Sequence, residues 1–209
     1  VSGENFRFMD VKRMTVGMCD CIVQRVSYTG DLGYEIYSDA MSQRALWQTL
    51  WTEGQKYGMQ PFGMRAMMSL RLDKFFGSWL SEFSPDYTPG ETGMDRFIAF
   101  NKDADFIGRG AVEAERQTGA SRGLVVFEVD ALDADVVGYE PVWINDEVKG
   151  FCTSGGYSHH AEKSIALALV DATCLVDDLQ AEIEILGHMR PAKRITRMLF
   201  DSDAHRMRG

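Results

Sequence analysis

Glu35 is the residue of this chain whose surroundings point most directly to chemistry. It stands between Tyr34 and Ile36, in a short run of aromatic and β-branched residues that is typical of a strand. Alternation along a strand places Glu35 and Tyr37 on one face and Tyr34 and Ile36 on the other. The simplest interpretation is a glutamate that faces solvent, because glutamate is rarely buried without a partner.

A second interpretation makes Glu35 a ligand-binding residue. Its carboxylate has two oxygens that can accept two parallel N–H bonds. A flat heterocycle with an amino group beside a ring N–H, such as a pterin, presents that pair of donors. Tyr28 lies on the other side of the loop 29–33 and could stack on such a ring or hydrogen-bond to it. Tyr28 and Glu35 are therefore the candidate binding residues.

Other motifs that carry chemistry do not occur in the sequence. There is no GxGxxG after a strand, no GxxxxGK[ST] and no GxSxG. The cysteines Cys19, Cys21, Cys152 and Cys174 form no CxxC pair, and none has a histidine at metal-ligand spacing. We therefore predict no metal site. Reduced thiols in a cytoplasmic protein are the expectation for such cysteines.

Composition argues against two classes of partner. The net charge is −9, from 31 acidic and 22 basic residues, and such a surface repels phosphate backbones. No apolar run approaches the ~20 residues that span a bilayer. We predict neither a nucleic-acid nor a membrane partner. One basic cluster remains, for which a solvated strand is favoured over an anion site. It consists of His188, Arg190, Lys193, Arg194 and Arg197.

The elements around Glu35 are predicted to be a hairpin followed by two helices. Strand-like runs at 21–28 and 34–37 flank the loop 29–33, which holds two glycines. Ser38 or Asp39 is predicted to cap the first helix. Its apolar face is formed by Leu46, Trp47, Leu50 and Trp51. The second helix carries Met64, Met67 and Met68, which we predict to fill the core.

After residue 120 the pattern changes to short β-type runs. Asn145–Asp146, Gly155–Gly156 and Gly187 are predicted at or near the turns between them. Strands and turns at this spacing indicate a small antiparallel barrel or a sandwich. The predicted strands are 124–129, 140–144, 148–153, 165–170, 181–186 and 192–200.

Five motifs in order resemble the aminomethyltransferase superfamily, the relatives of glycine-cleavage T-protein. The segment SYTGDLGYEI at 27–36 resembles that family's YTGE-x-G-x-E-I. The others are GMRAMMSLRLDK at 63–74, Thr88-Pro89 with Gly93, DFIGR at 105–109 with Ala111, and TSGG at 153–156 with IALA at 165–168. Within the superfamily, the first segment looks closest to the folate domains of dimethylglycine and sarcosine dehydrogenases and oxidases.

The resemblance implies roles for individual residues. The family's Tyr and final Glu of the hairpin contact the folate pterin, and these match Tyr28 and Glu35. Many T-proteins carry a folate-binding Arg where this chain has Met67, and neither Arg65 nor Arg71 is its equivalent. The family's catalytic Asp comes from a region upstream of the matched segments. We therefore expect a C-terminal fragment of a larger enzyme that is inactive alone.

The implied fold is α+β, with the later part of the folate-binding domain at residues 1–118 and a C-terminal antiparallel β-barrel at 119–209. The implied function is transfer of an aminomethyl or methylene unit to tetrahydrofolate. It would be coupled to demethylation of a small methylamine-type substrate, with a flavin domain possible upstream. Two alternatives stay open: a folate-binding protein without transferase activity, and a folate-dependent S-methyl demethylase.

Overall fold

The computed structural model describes residues 5–208, and the chain divides into two compact units. The first unit contains the residues up to Lys74 together with those from Asp201 onward. The second contains Phe75–Phe200. The division into family domains at residues 118 and 119 stays a prediction.

A three-stranded antiparallel sheet is the centre of the first unit. It consists of β1 (Val11–Val16), β2 (Cys19–Gln24) and β3 (Glu35–Tyr37), in that order. Buried and exposed side chains alternate along β2, so that Cys19 and Cys21 share the buried face. The buried core of this unit is formed by Phe6, Cys19, Cys21, Val23 and Leu46.

The predicted hairpin is confirmed, but its connection is longer than the sequence indicated. Strand β2 ends at Gln24 and does not reach Tyr28. The next residue, Arg25, is buried, and its guanidinium donates to the carbonyl oxygens of Phe6 and Arg208, each at 2.6 Å. The backbone of Arg25 still pairs with the segment before β1, because its N–H donates to the Asp10 carbonyl at 3.0 Å and its carbonyl accepts from the Met9 N–H at 2.8 Å. Residues 25–34 contain no regular strand and are called here the Tyr28 loop.

Two helices follow the sheet, and their apolar faces are only partly covered. Helix α1 (Gln43–Gly54) begins after Ser42, whose backbone N–H and hydroxyl both donate to the Asp39 carboxylate. Asp39 therefore fixes the turn before the helix and is not its N-cap. Leu46 is buried, whereas Trp47 is 51% exposed and stacks on Trp51.

The prediction that the methionines of the second helix fill the core was wrong. In α2 (Met64–Leu72), Met64 is 67% exposed, and Met67 and Met68 are half-buried. Only the C-terminal end of α2 packs into the interior of the unit, where Arg71 and Leu72 are buried. The helical period identified the shared face but not how much of that face is covered.

The second unit begins with loops and short helices and ends in a barrel. Helix α3 (Pro89–Thr92) has a capping box, in which Thr88 accepts from Glu91 N and Glu91 accepts from Thr88 N. Helix α4 (Arg109–Thr118) precedes the first barrel strand. Within residues 5–208, no helix has the length and the apolar character needed to cross a membrane.

Six antiparallel strands close into a barrel in the order β4-β7-β6-β5-β8-β9, which confirms the α+β fold and its C-terminal barrel. The strands are β4 (Arg122–Val129), β5 (Pro141–Ile144), β6 (Glu147–Ser158), β7 (Lys163–Asp171), β8 (Gln180–Ile185) and β9 (His188–Ile195). The predicted turn at Asn145–Asp146 is confirmed, and both residues have positive φ, as a tight two-residue hairpin turn requires.

Two details of the barrel differ from the prediction. Strand β9 ends at Ile195 and does not continue to Phe200. Gly155 and Gly156 lie inside β6, not at a turn. A Cβ at Gly155 would lie 2.6 Å from Val136 Cβ, so glycine is required there by the close approach of Val136.

Candidate functional site

Glu35 is the first residue of β3 and projects from the exposed face of the sheet. Ile36 packs against the buried core, while Glu35 and Tyr37 are exposed on the opposite face, so the predicted alternation is confirmed. Glu35 pairs in register with Gln24 of β2, and Tyr37 pairs with Ile22. The backbone of Glu35 is therefore held at a fixed position on a regular sheet.

Tyr37 orients this carboxylate. Its hydroxyl donates a hydrogen bond to Glu35 Oε2. That bond stabilises the neutral phenol and raises the pKa of Tyr37, with the negative charge of Glu35 acting in the same direction. Among the described residues, Oε1 of Glu35 has no hydrogen-bond partner. The open carboxylate can therefore accept donors from a ligand through Oε1 and the second lone pair of Oε2.

A depression lies at Tyr37 and strand β2, and neither Glu35 nor Tyr28 is among the residues that line it. Its volume is about 320 Å³. It carries one guanidinium and two carboxylates together with the Tyr37 ring, so it offers both charges and an aromatic edge. The lining residues are Arg13, Asp20, Cys21, Ile22, Tyr37, Ser38 and Asp39.

Tyr28, the second predicted site residue, lies in the Tyr28 loop and is half-buried. Gly30 gives the loop its bend, because its φ of +88° is in the left-handed region that favours glycine. The Gly30 N–H donates to Ser27 Oγ at 3.0 Å. Tyr28 and Glu35 thus belong to one hairpin, Tyr28 on its loop and Glu35 on its returning strand.

Helix α2 carries Met67, where the resemblance predicts a folate-binding arginine in many T-proteins, together with Arg65 and Arg71. Met67 is half-buried. Arg65 is exposed near the start of the helix, and Arg71 is only 1% exposed. A guanidinium that deep in the unit is part of its interior, not of an open binding surface. That neither arginine is equivalent to the family residue stays a prediction.

The basic cluster of the last strand is divided among separate partners. Arg190 pairs with Asp133 at 2.9 Å, and Arg194 donates to the carbonyl oxygen of Val176 at 2.7 Å. His188 and Lys193 are exposed on the strand. The side chains of Arg190 and Arg194 are only 14% and 21% exposed, so the prediction of a solvated strand fits His188 and Lys193 but is wrong for the two arginines.

The cysteines do not form a reactive site. All four are free, and Cys19, Cys21 and Cys152 are buried. Burial raises the pKa of the Cys21 and Cys152 thiols, so both stay protonated at neutral pH and are poor nucleophiles. Among residues 5–208, no group of three His, Cys, Asp or Glu side chains is arranged to hold a metal ion.

The role of Tyr37 was not recognised from the sequence, although a signal for it was there. A residue two positions after Glu35 on the same strand shares its face, and tyrosine is long enough to reach the carboxylate. The contacts that hold the Tyr28 loop had no such signal, because their partners lie far away in the chain.

Two family profiles match this chain in succession. The profile described as GCVT N-terminal domain matches residues 1–102, and the one described as glycine cleavage T-protein C-terminal barrel domain matches residues 122–201. Together they match most of the chain, and the second match coincides with the closed barrel.

Curated relatives extend the similarity. The chain is 36% identical over 208 residues to the mitochondrial dimethylglycine dehydrogenases of Rattus norvegicus and Homo sapiens, over 100% of its own length. It is 34% identical over 190 residues to an aminomethyltransferase of Geobacillus sp. (strain WCH70). The chain spans 24% of the length of those dehydrogenases and 51% of that aminomethyltransferase.

A solved structure shows the same fold. The chain superposes on the glycine cleavage system aminomethyltransferase T from Bartonella henselae with a TM-score of 0.85 and 22% identity, over 97% of this chain and 55% of that one. The fold is thus that of a T-protein folate domain followed by its barrel. The chain belongs to the aminomethyltransferase, or glycine-cleavage T-protein, superfamily.

Proposed function

We propose that this chain carries the pterin-binding hairpin of an enzyme that transfers a one-carbon unit to tetrahydrofolate. The observation that carries the proposal is the Glu35 carboxylate, exposed on a rigid strand and oriented by Tyr37. The family supports folate as the ligand, and the similarity to dimethylglycine dehydrogenases along the whole chain supports an N-methylglycine-type amine as the source of the carbon.

The residues of the hairpin fit a pterin by their donors and acceptors. The pterin edge has two parallel N–H donors, and Glu35 accepts such a pair without giving up its bond from Tyr37. The Tyr28 ring supplies an aromatic surface or a hydroxyl for the same heterocycle. When bound, tetrahydrofolate supplies the nitrogens that accept the one-carbon unit.

The contribution of this chain is therefore binding and orientation. Holding a reactant in one geometry lowers the entropic cost of the step that follows. The proton-transferring Asp is expected outside the matched segments, so we propose that the chain acts as part of a larger transferase. A methylamine-type substrate, a flavin domain in the intact protein and a cytoplasmic location complete the proposal.

Calorimetric titration of the full-length protein with tetrahydrofolate tests the role of Glu35. A charge-assisted hydrogen bond contributes about 1.5–3 kcal/mol, so Glu35→Gln is expected to weaken binding by roughly one to two orders of magnitude. The amide of Gln also presents a donor to the donors of the pterin. Glu53→Gln is the matched control, because Glu53 is an exposed glutamate on α1 whose partner is the equally exposed Lys56.

The outcomes separate the site from the function. Equal affinity of wild type and Glu35→Gln would remove Glu35 from the site. Absence of tetrahydrofolate binding by the wild type would overturn the proposed function. Binding without turnover of dimethylglycine or of an aminomethyl donor would leave a folate-binding protein and contradict the transferase.

A further inference from the structure

The Tyr28 loop is contacted by a segment that is remote in sequence. Arg206 lies in α5 (His205–Arg208), and its Nε is 2.5 Å from Asp31 Oδ1, in the centre of the loop. Both side chains are partly exposed, at 52% and 41%. The contact therefore joins two surface elements of the first unit and is not part of its core.

A second connection runs through Lys74. A Cβ at Gly30 would lie 2.7 Å from Lys74 Cε, so the loop backbone rests directly on the lysine chain. Lys74 Nζ donates to both the carbonyl oxygen and Oδ2 of Asp201, each at 2.7 Å. The Lys74 side chain is 1% exposed and that of Asp201 is 10% exposed. Gly30 thus packs on Lys74, and Lys74 in turn binds Asp201, in a largely buried chain of contacts.

The third connection lies at the start of the loop. The Arg25 guanidinium donates to the carbonyl oxygen of Arg208 at 2.6 Å, and it also bonds to Phe6. The C-terminal segment, residues 201–208, therefore reaches the loop at its first residue and at its bend. It does so through one exposed ion pair, one buried ion pair and one backbone carbonyl.

We propose that the C-terminal segment holds the Tyr28 loop in the conformation that binds the heterocycle, with Arg206 and Asp201 as positioning residues. The proposal rests on the proposed function, since it assigns Tyr28 to the folate site. An irregular loop has many conformations, and ordering it costs conformational entropy at the moment of binding. Contacts that order the loop beforehand remove part of that cost. Neither Arg206 nor Asp201 is proposed to touch the ligand.

The Asp31–Arg206 pair allows a positioning role to be separated from a structural one. An exposed ion pair contributes little to global stability. Removing it should therefore leave the melting temperature of the protein nearly unchanged while it loosens the loop. A residue whose only role was structural would show the opposite pattern, with a change in melting that accounts for any change in binding.

A double-mutant cycle on the full-length protein tests the pair, with tetrahydrofolate as the titrant. We expect Asp31→Asn and Arg206→Gln each to weaken binding by about two- to fivefold, and the double variant to be no weaker than either single one. The charge-reversed pair, Asp31→Arg with Arg206→Asp, should recover most of the affinity. Additive losses in the double variant, or no recovery on reversal, would overturn the proposal.

Arg208→Gln is the matched control. Arg208 lies on the same helix and is exposed, and it meets Arg25 through its backbone carbonyl, which the substitution keeps. The variant makes the same change in net charge as Arg206→Gln. Equal loss of affinity in Arg206→Gln and Arg208→Gln would show that the C-terminal segment acts through general attraction of the anionic folate and not through the Tyr28 loop.

Hydrogen exchange supplies a readout that needs no ligand. In the unliganded protein, amides of residues 25–34 should exchange several-fold faster in Arg206→Gln than in wild type, while those of β1 and β2 stay unchanged. Unchanged exchange in the loop would overturn the positioning role. If the wild type bound no tetrahydrofolate while the loop amides of Arg206→Gln still exchanged faster than those of wild type, the proposed function would fail and the ordering of the loop by the C-terminal segment would stand.

Discussion

A glutamate on an exposed strand becomes a selective acceptor only when its carboxylate is held in one orientation. In this protein the strand fixes the backbone and Tyr37 fixes the carboxylate, through the bond from its hydroxyl to Oε2. Such a bond leaves the other oxygen for a ligand. The proposed ligand-binding glutamate and the tyrosine that orients its carboxylate are two positions apart on one face.

Tyr37→Phe tests this division of roles. The variant keeps the ring and removes the hydroxyl, so Glu35 loses its orienting donor while the sheet is unaffected. We expect tetrahydrofolate affinity to fall by roughly three- to tenfold, with a melting temperature close to that of wild type. Because the pKa of Tyr37 is raised, the hydroxyl is a donor throughout the neutral range, and the loss should not depend on pH there.

Tyr34→Phe is the matched control for that experiment. Tyr34 precedes Glu35 and packs its ring against Phe6, with 5.8 Å between the centroids. Its hydroxyl should therefore be dispensable for the ligand. If both variants weakened binding equally, the orienting role of Tyr37 would be lost.

At the scale of elements, the sequence predicted those features that depend on local pattern. The barrel strands alternate or run apolar, and Asn145–Asp146 has the residue types of a tight turn, so the six strands could be placed within a few residues. The exposed Met64 shows the limit of that reasoning. Period predicts which residues share a face, but the burial of that face depends on neighbours that are not local.

The glycine pair in strand β6 shows the same limit of prediction from local sequence. A glycine pair can produce a turn or permit a close approach within a strand, and the local sequence does not distinguish the two. In this structure Val136 packs against Gly155 in β6, which a pattern search could not reveal because the two residues belong to different elements.

Gly155→Ala is expected to destabilise the barrel. The added methyl group would lie 2.6 Å from Val136 Cβ and 3.0 Å from the carbonyl oxygen of Ile165. Overpacking of this kind costs about 1–3 kcal/mol, which denaturant unfolding followed by far-ultraviolet circular dichroism would measure. Gly110→Ala is the control, because a Cβ at Gly110 in α4 meets nothing within 4 Å. A Gly155→Ala variant as stable as Gly110→Ala would contradict the packing argument.

At the scale of the whole molecule, the sequence did not predict the contacts between residues that are far apart in the chain. The chain leaves the first unit after Lys74 and re-enters it at Asp201, and these two residues form an ion pair whose side chains are 1% and 10% exposed. They are 127 positions apart, and neither lies in a motif that predicts the other. Of the candidate site, Tyr28 and Glu35 were visible in one local segment, whereas the residues that hold their loop were not.

The Lys74–Asp201 pair should make the stability of the first unit depend on pH in the acidic range. The hydrogen bond from Lys74 lowers the pKa of Asp201 below its ordinary value of 3.8, against the opposing effect of burial. A carboxyl group with a depressed pKa stabilises the fold at pH values above its ordinary pKa, and that contribution is lost as pH falls through the folded pKa.

We therefore expect Asp201→Asn to melt several degrees below wild type at neutral pH. The difference should shrink as pH falls below about 4, where Asp201 binds a proton in the unfolded chain, and it should be lost as pH falls through the lower pKa of Asp201 in the folded protein. Scanning calorimetry between about pH 2.5 and 7 would measure it, with Glu53→Gln as the control, because the Glu53–Lys56 pair is exposed and an exposed pair contributes little to stability. A difference between Asp201→Asn and wild type that stayed constant down to the lowest pH would show that the asparagine disturbs packing and that the ionised pair is not what holds the C-terminal segment in place.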